Sequence, residues 1–121
     1  MLRGVLPPRL ARLPRHVLPS GLVLLLAHGP MARLHGLIGC RPLPCGHALL
    51  LAPCSSVHTL GMRFALDLVW LDSRGAVLEV SGDVGPGRLA GQRGARAVVE
   101  APAGEGAHFA AALRDAPARE P

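Results

Sequence analysis

A chain of 121 residues, half of them hydrophobic and 17% charged, is long enough for one core and too apolar for a disordered tail. Its thirteen cationic residues are all arginine, against eight acids and a formal net charge of +5; with abundant Ala, Gly and Pro, that usage points to GC-rich coding as one source of the basicity. Three cysteines, Cys40, Cys45 and Cys54, without C-x-x-C spacing exclude a complete disulfide framework and a zinc ribbon, leaving one Cys40–Cys45 bridge open to an exported chain.

The charge is uneven. Residues 1–66 hold seven arginines and no acid, and residues 67–121 hold six arginines and eight acids, so the two parts carry +7 and −2. A basic half can mark a nucleic-acid or anionic-lipid surface. Against nucleic acid, the arginines stand singly among Pro and Leu, and only Phe64, Trp70 and Phe109 are available to stack on bases.

In chain order, residues 1–15 interleave arginine with Pro7, Pro8 and Pro14, which cannot propagate a helix, and a loose basic arm is expected. Pro19-Ser20-Gly21 is turn chemistry between His16–Leu18 and Leu22–Ala27, which predicts an antiparallel hairpin. The alternative is a signal peptide over residues 1–29, with an unconvincing cleavage site at Ala27-His28-Gly29. The apolar run from Leu22 to Ala27 is too short to span a membrane. A cytoplasmic location is expected, with export as the alternative.

Pro30 with Met31, Leu34, Leu37 and Ile38 at helical spacing predicts a short amphipathic helix over 30–38, ended by Gly39. Residues 40–46 read as a loop. Ala48–Ala52 and Leu66–Leu71 are unbroken apolar runs and read as strands buried on both faces. Asp72-Ser73-Arg74-Gly75 then supplies a tight hairpin turn into Ala76–Val80, and Trp70 shares a face with Leu66 and Leu68 as a core anchor. Gly82–Gly94 reads as a Gly-rich loop and Ala95–Ala101 as a closing strand. Ala107–Leu113 reads as a short helix carrying Phe109 and Leu113 one turn apart, and residues 116–121 as a disordered tail.

Four segments carry a resemblance: Met31–Gly39, Pro53–Phe64, Leu66–Asp72, and Gly94–Glu100 with Ala103-Gly104. Together, over roughly residues 16–104, they resemble the bacterial and archaeal family called domain of unknown function 192. The resemblance implies a compact β-rich barrel or sandwich with one or two short helices, and no established activity. The chain departs from the family pattern at Ala65, where a proline is usual, at Pro86-Gly87-Arg88, where a Pro-Trp-Arg-like element is usual, and in lacking a Gly-Asp ending. The fold class expected is therefore mostly β (α+β), a small antiparallel barrel or sandwich-like domain over residues 16–115.

The chemistry concentrates between Cys54 and Asp67. Cys54, His58 and Met62 recur every fourth residue and form a soft donor set suited to copper(I). Four residues of strand span about 13 Å, so one straight strand cannot bring all three to a single ion. Cys54 as nucleophile, His58 as base and Asp67 as orienting carboxylate supply the residue types of an activated thiol, without a surrounding nucleophile signature. Ser55, Ser56, His58, Thr59 and Arg63 form a polar cluster beside buried strands, with Arg88 as a second cation. Such convergence is the usual form of a ligand site.

The structural alternative makes Cys54 a small buried hydrophobe and pairs Arg63 with Asp67. The expected function is a non-enzymatic binding or interaction module for an unknown small ligand or protein partner, without a cofactor, using Ser56, His58, Arg63, Asp67 and Arg88. The alternative is a soft-metal or redox-active thiol protein using Cys54 and His58.

Overall fold

The computed structural model describes residues 6, 8–28 and 43–115. Among these residues eight strands run in the order β1 (Arg15–Val17), β2 (Val23–His28), β3 (His47–Ala52), β4 (Ser56–His58), β5 (Leu66–Leu71), β6 (Val77–Val84), β7 (Leu89–Gly91) and β8 (Ala97–Pro102). Among the described residues two helices flank them, α1 (Pro8–Ala11) and α2 (Gly106–Asp115). The strands form a six-stranded sheet, β1-β2-β3-β8-β5-β6, and a two-stranded sheet, β4-β7. The fold is mostly β with two sheets, as the sequence predicts. Among the described residues the larger sheet ends at β1 and β6 without closing on itself, so of the two predicted forms the sandwich-like one fits and the barrel does not.

The hairpin β1–β2 is antiparallel, with Arg15 opposite Leu25 and Val17 opposite Val23. One pairing departs from the expected antiparallel arrangement: β2 and β3 run parallel, Val23 beside His47 through His28 beside Ala52. A parallel pair needs a crossover of a dozen or more residues, and residues 29–46 supply the length. The helix predicted over 30–38 and the tail over 116–121 lie outside the described residues. Cys45 is an exposed thiol; Cys40, and with it the Cys40–Cys45 bridge, lies outside the described residues. Within the predicted arm, Pro8 opens one helical turn, a position where its missing N–H costs nothing. That turn places Leu10 in the core at 1% exposure.

Strand alternation splits the core in two. On one face of the large sheet, Leu24, Ala48, Val69, Val99 and Ala101 pack against Phe109, Ala110 and Ala112 of α2. On the other, Leu25, Leu49, Leu66, Leu68, Trp70 and Val98 pack against Leu10, Leu43, Met62 and Ala95, with Cys54, Val57, Phe64 and Ala90 lying over them. The small sheet therefore covers the face opposite α2. Trp70 joins Leu66 and Leu68 as predicted, and its indole N–H, which would be costly to bury unpaired, donates to Ser81 Oγ at 3.1 Å.

The β5–β6 hairpin turns at Asp72–Ala76. Gly75 adopts φ 83°, and Asp72 Oδ1 accepts from Arg74 N at 2.8 Å and Ala76 N at 2.9 Å. Those backbone donors, Ala76 first, hold the exposed Asp72 carboxyl below its usual range. Further along, Leu66 pairs with Val84 but Leu68 with Ser81, so Gly82 and Asp83 bulge opposite Asp67.

At the start of α2, a Cβ on Gly106 would stand 2.8 Å from Asp67 Cβ, 2.9 Å from Asp67 Oδ2 and 3.1 Å from Val80 Cγ1. Alanine gains up to about 1 kcal/mol of helix propensity over glycine, but overpacking costs about 1–3 kcal/mol and acts on a packed contact. Gly106→Ala is therefore expected to destabilise the protein by about 1–2 kcal/mol in urea unfolding. A stabilised variant would show that Asp67 has room to retreat.

Candidate functional site

Thr59 organises the small sheet. It is 1% exposed, and a buried hydroxyl must be hydrogen-bonded to be tolerated. Its Oγ1 donates to Gly85 O at 2.7 Å and accepts from Arg88 N at 2.7 Å. Its backbone N–H donates to Arg88 O at 2.8 Å, and its carbonyl accepts from Gly87 N and Met62 N. One residue thus ties the end of β4 to the turn entering β7 and to the segment leading into β5.

Around this anchor the residues alternate. Val57, opposite Ala90, packs on the core, whereas Ser56 opposite Gly91 and His58 opposite Leu89 are exposed. Thr59 points in and Leu60 points out, at 56% exposure. Leu89 is 84% exposed. A Cβ on Gly91 would lie 3.2 Å from Ser55 O, so glycine lets the strands approach. Gly82–Gly94, predicted as a loop, is therefore the end of β6, a turn, and β7.

The structure gathers four of the five predicted ligand residues on this lobe. Ser56 and His58 share its outer face, Arg88 is pinned through its backbone to Thr59, and Arg63 follows the Thr59–Met62 turn; all four side chains are exposed. Asp67 is placed elsewhere. It sits on the α2 side of β5 at 6% exposure, accepting Asp83 N at 2.8 Å on Oδ1 and Gly104 N at 2.9 Å and Gly106 N at 2.8 Å on Oδ2. Its partners are these backbone N–H groups, not Arg63. The large sheet stands between Asp67 and Cys54, so the Cys-His-Asp set is not assembled.

The soft-metal trio is also divided. Met62 is buried in the core at 8% exposure and Cys54 lies over that core, its thiol donating to Ser56 O at 3.1 Å, while His58 faces outward. Among the described residues no three His, Cys, Asp or Glu side chains converge as a metal would require.

Two features escaped the sequence reading. Residues 53–65 and 85–96, the two segments that build the lobe, contain Arg63, Arg88, Arg93 and Arg96 and no acid. All seven acids among the described residues lie on β5, β6, β8, α2 or the turns joining them. Halving the chain hid this, because the acid-free runs interleave with acidic ones.

The second is Glu100, on the central strand β8 between Leu49 and Leu68. It is 6% exposed, and its Oε1 is enclosed with no hydrogen-bond partner. Burial raises its pKa from 4.5 to about 7. A lone acid in Ala-Val-Val-Glu-Ala was the available signal.

Together these features define a small β-rich domain of two sheets with a cationic, acid-free lobe over one face of its core. The chain belongs to the family described as Uncharacterized ACR, domain of unknown function 192, whose pattern matches residues 20–112. Its fold is similar to that of a Sinorhizobium meliloti 1021 protein named a candidate transcription regulator. That likeness has 22% identity and a TM-score of 0.65, and covers 78% of this chain and 82% of the other. It is also similar to a protein of unknown function from Novosphingobium aromaticivorans DSM 12444, at 18% identity and a TM-score of 0.62, over 93% of this chain and 94% of that one. At these identities the likeness concerns the fold alone. No curated protein matches the sequence. No helix among the described residues is long and apolar enough to cross a membrane.

Proposed function

We propose that this protein is a non-enzymatic binding module whose β4–β7 lobe receives an anionic ligand or partner. The observation that carries the reading is charge segregation: four exposed arginines and His58 occupy two acid-free segments that fold together. Cations grouped without counter-charges raise the local concentration of anions. Ser56 and His58 add hydrogen-bonding groups on the outer face, and the Thr59 bonds hold the arginine-bearing turn in place. Asp67 serves the reading indirectly, by fixing β5 and β6 beneath the lobe.

Heparin is a suitable soluble polyanion for the test. Titrated into ¹⁵N-labelled protein, it is expected to shift the amides of Ser56, His58, Arg63 and Arg88, with affinity falling as salt rises. Arg63→Ala and Arg88→Ala are each expected to weaken binding by up to about fivefold, the upper range for one exposed ionic contact. Shifts confined to the α2 face, or binding indifferent to salt, would remove the lobe from consideration.

A further inference from the structure

The exposed leucines distinguish among anionic partners. His58 stands opposite Leu89, and Leu60, in the turn that follows β4, is exposed where its neighbour Thr59 is buried. Leu89 is 84% and Leu60 56% exposed; exposed Arg88 precedes Leu89 directly, and exposed Arg63 follows Leu60 by three residues. Leaving two leucines of one small lobe in water is unfavourable, and a nucleic-acid backbone gives them nothing. Phe64, the lobe's one aromatic residue, is half-buried against the core, so stacking on bases is not available. A folded protein partner would need a recess matched to each projecting side chain. A fluid bilayer needs none, because apolar tips enter the headgroup–acyl boundary while neighbouring cations meet the phosphates.

We propose that the occupant of the lobe is the surface of an anionic lipid bilayer, with Leu60 and Leu89 inserted shallowly and Arg63 and Arg88 on the lipid phosphates. This rests on the lobe being the anion-binding surface. Neither signal holds a protein on a membrane alone, and stable attachment takes two. The lobe supplies both within a few residues, which makes the attachment peripheral, reversible and salt-sensitive.

The test is co-sedimentation with vesicles of phosphatidylcholine containing phosphatidylglycerol, beside pure phosphatidylcholine vesicles and heparin. The proteins are wild type, Leu60→Ser/Leu89→Ser and Arg63→Ala/Arg88→Ala, each checked for an unchanged fold by its amide spectrum. Wild type is expected on the anionic vesicles and not on the neutral ones. The leucine variant is expected to lose tenfold or more of its affinity for anionic vesicles, since even partial insertion of each side chain is worth several-fold, while binding heparin as wild type does. The arginine variant is expected to lose both.

Leucine-variant binding to anionic vesicles at wild-type strength would overturn the lipid assignment. So would wild type that binds heparin and ignores vesicles, which would leave the anion site standing. Wild type that binds neither would overturn both.

Discussion

Unfolding free energy, measured in urea across pH, is expected to fall by about 3 kcal/mol between pH 4.5 and pH 7 because of Glu100, and that component is expected to vanish in Glu100→Gln. The carboxyl is buried between Leu49 and Leu68 with Oε1 unpartnered, and burial alone lifts its pKa from 4.5 to about 7. Below pH 4.5 both folded and unfolded chains hold the proton and no penalty exists. As pH rises toward 7 the unfolded chain releases it and the folded chain keeps it, so the folded state binds more protons and stability falls with pH. Above 7 both forms are ionised and the penalty is constant. At about 1.4 kcal/mol for each tenfold, the interval gives the stated 3 kcal/mol. Glutamine keeps the shape without the proton equilibrium. A wild-type profile that parallels the Gln variant would show that a neighbouring group or water solvates the carboxylate.

Asp67→Ala is expected to cost about 3–5 kcal/mol, because three backbone donors lose a charged acceptor at once and the Gly106 N–H, being buried, has no water to replace it. Each such bond is worth about 1.5–3 kcal/mol alone, and three sharing one carboxylate add up to less than their sum. The first consequence is local. Amide exchange at Asp83, Gly104 and Gly106 should accelerate well beyond the change at Val98 and Val99, as α2 loosens before the sheet opens. Asp67→Asn directs an NH₂ group toward N–H donors and should recover little. Gly106→Ala should cost less in the Asp67→Ala background than in wild type, since the side chain it crowds has gone. A loss under 1 kcal/mol in Asp67→Ala would mean that water caps the helix equally well.

Strong local signals read correctly. The apolar run Leu66–Leu71 is β5 to the residue, the Asp72–Gly75 turn forms with Gly75 at positive φ, and Ala107–Leu113 lies inside α2. The proline-bounded turn at Pro19–Gly21 joins β1 to β2. What escaped was non-local. No periodicity marks three-residue strands, and β4 pairs with β7 across some thirty residues through contacts that Thr59 organises from within. The parallel pairing of β2 and β3 depends on a crossover rather than on either strand's own sequence.

For the site, residue types near Cys54 suggested chemistry, but strand alternation decides which side each group faces. It sends His58 outward and Asp67 to the far side of the sheet, while the turn closed by Met62 N on Thr59 O leaves Met62 buried. The arginines and hydroxyls of the lobe were legible as a cluster. Its lack of acids and its leucine tips became visible only when distant segments met.

The strand order β1-β2-β3-β8-β5-β6 places a late segment in the middle of the sheet. During synthesis, β3 and β5 are complete long before Ala97–Pro102 leaves the ribosome. Until then each presents an open edge built from some of the most apolar sequence in the chain, and open apolar edges recruit strands from other molecules. Only β8 closes both edges, pairing with β3 on one side and β5 on the other.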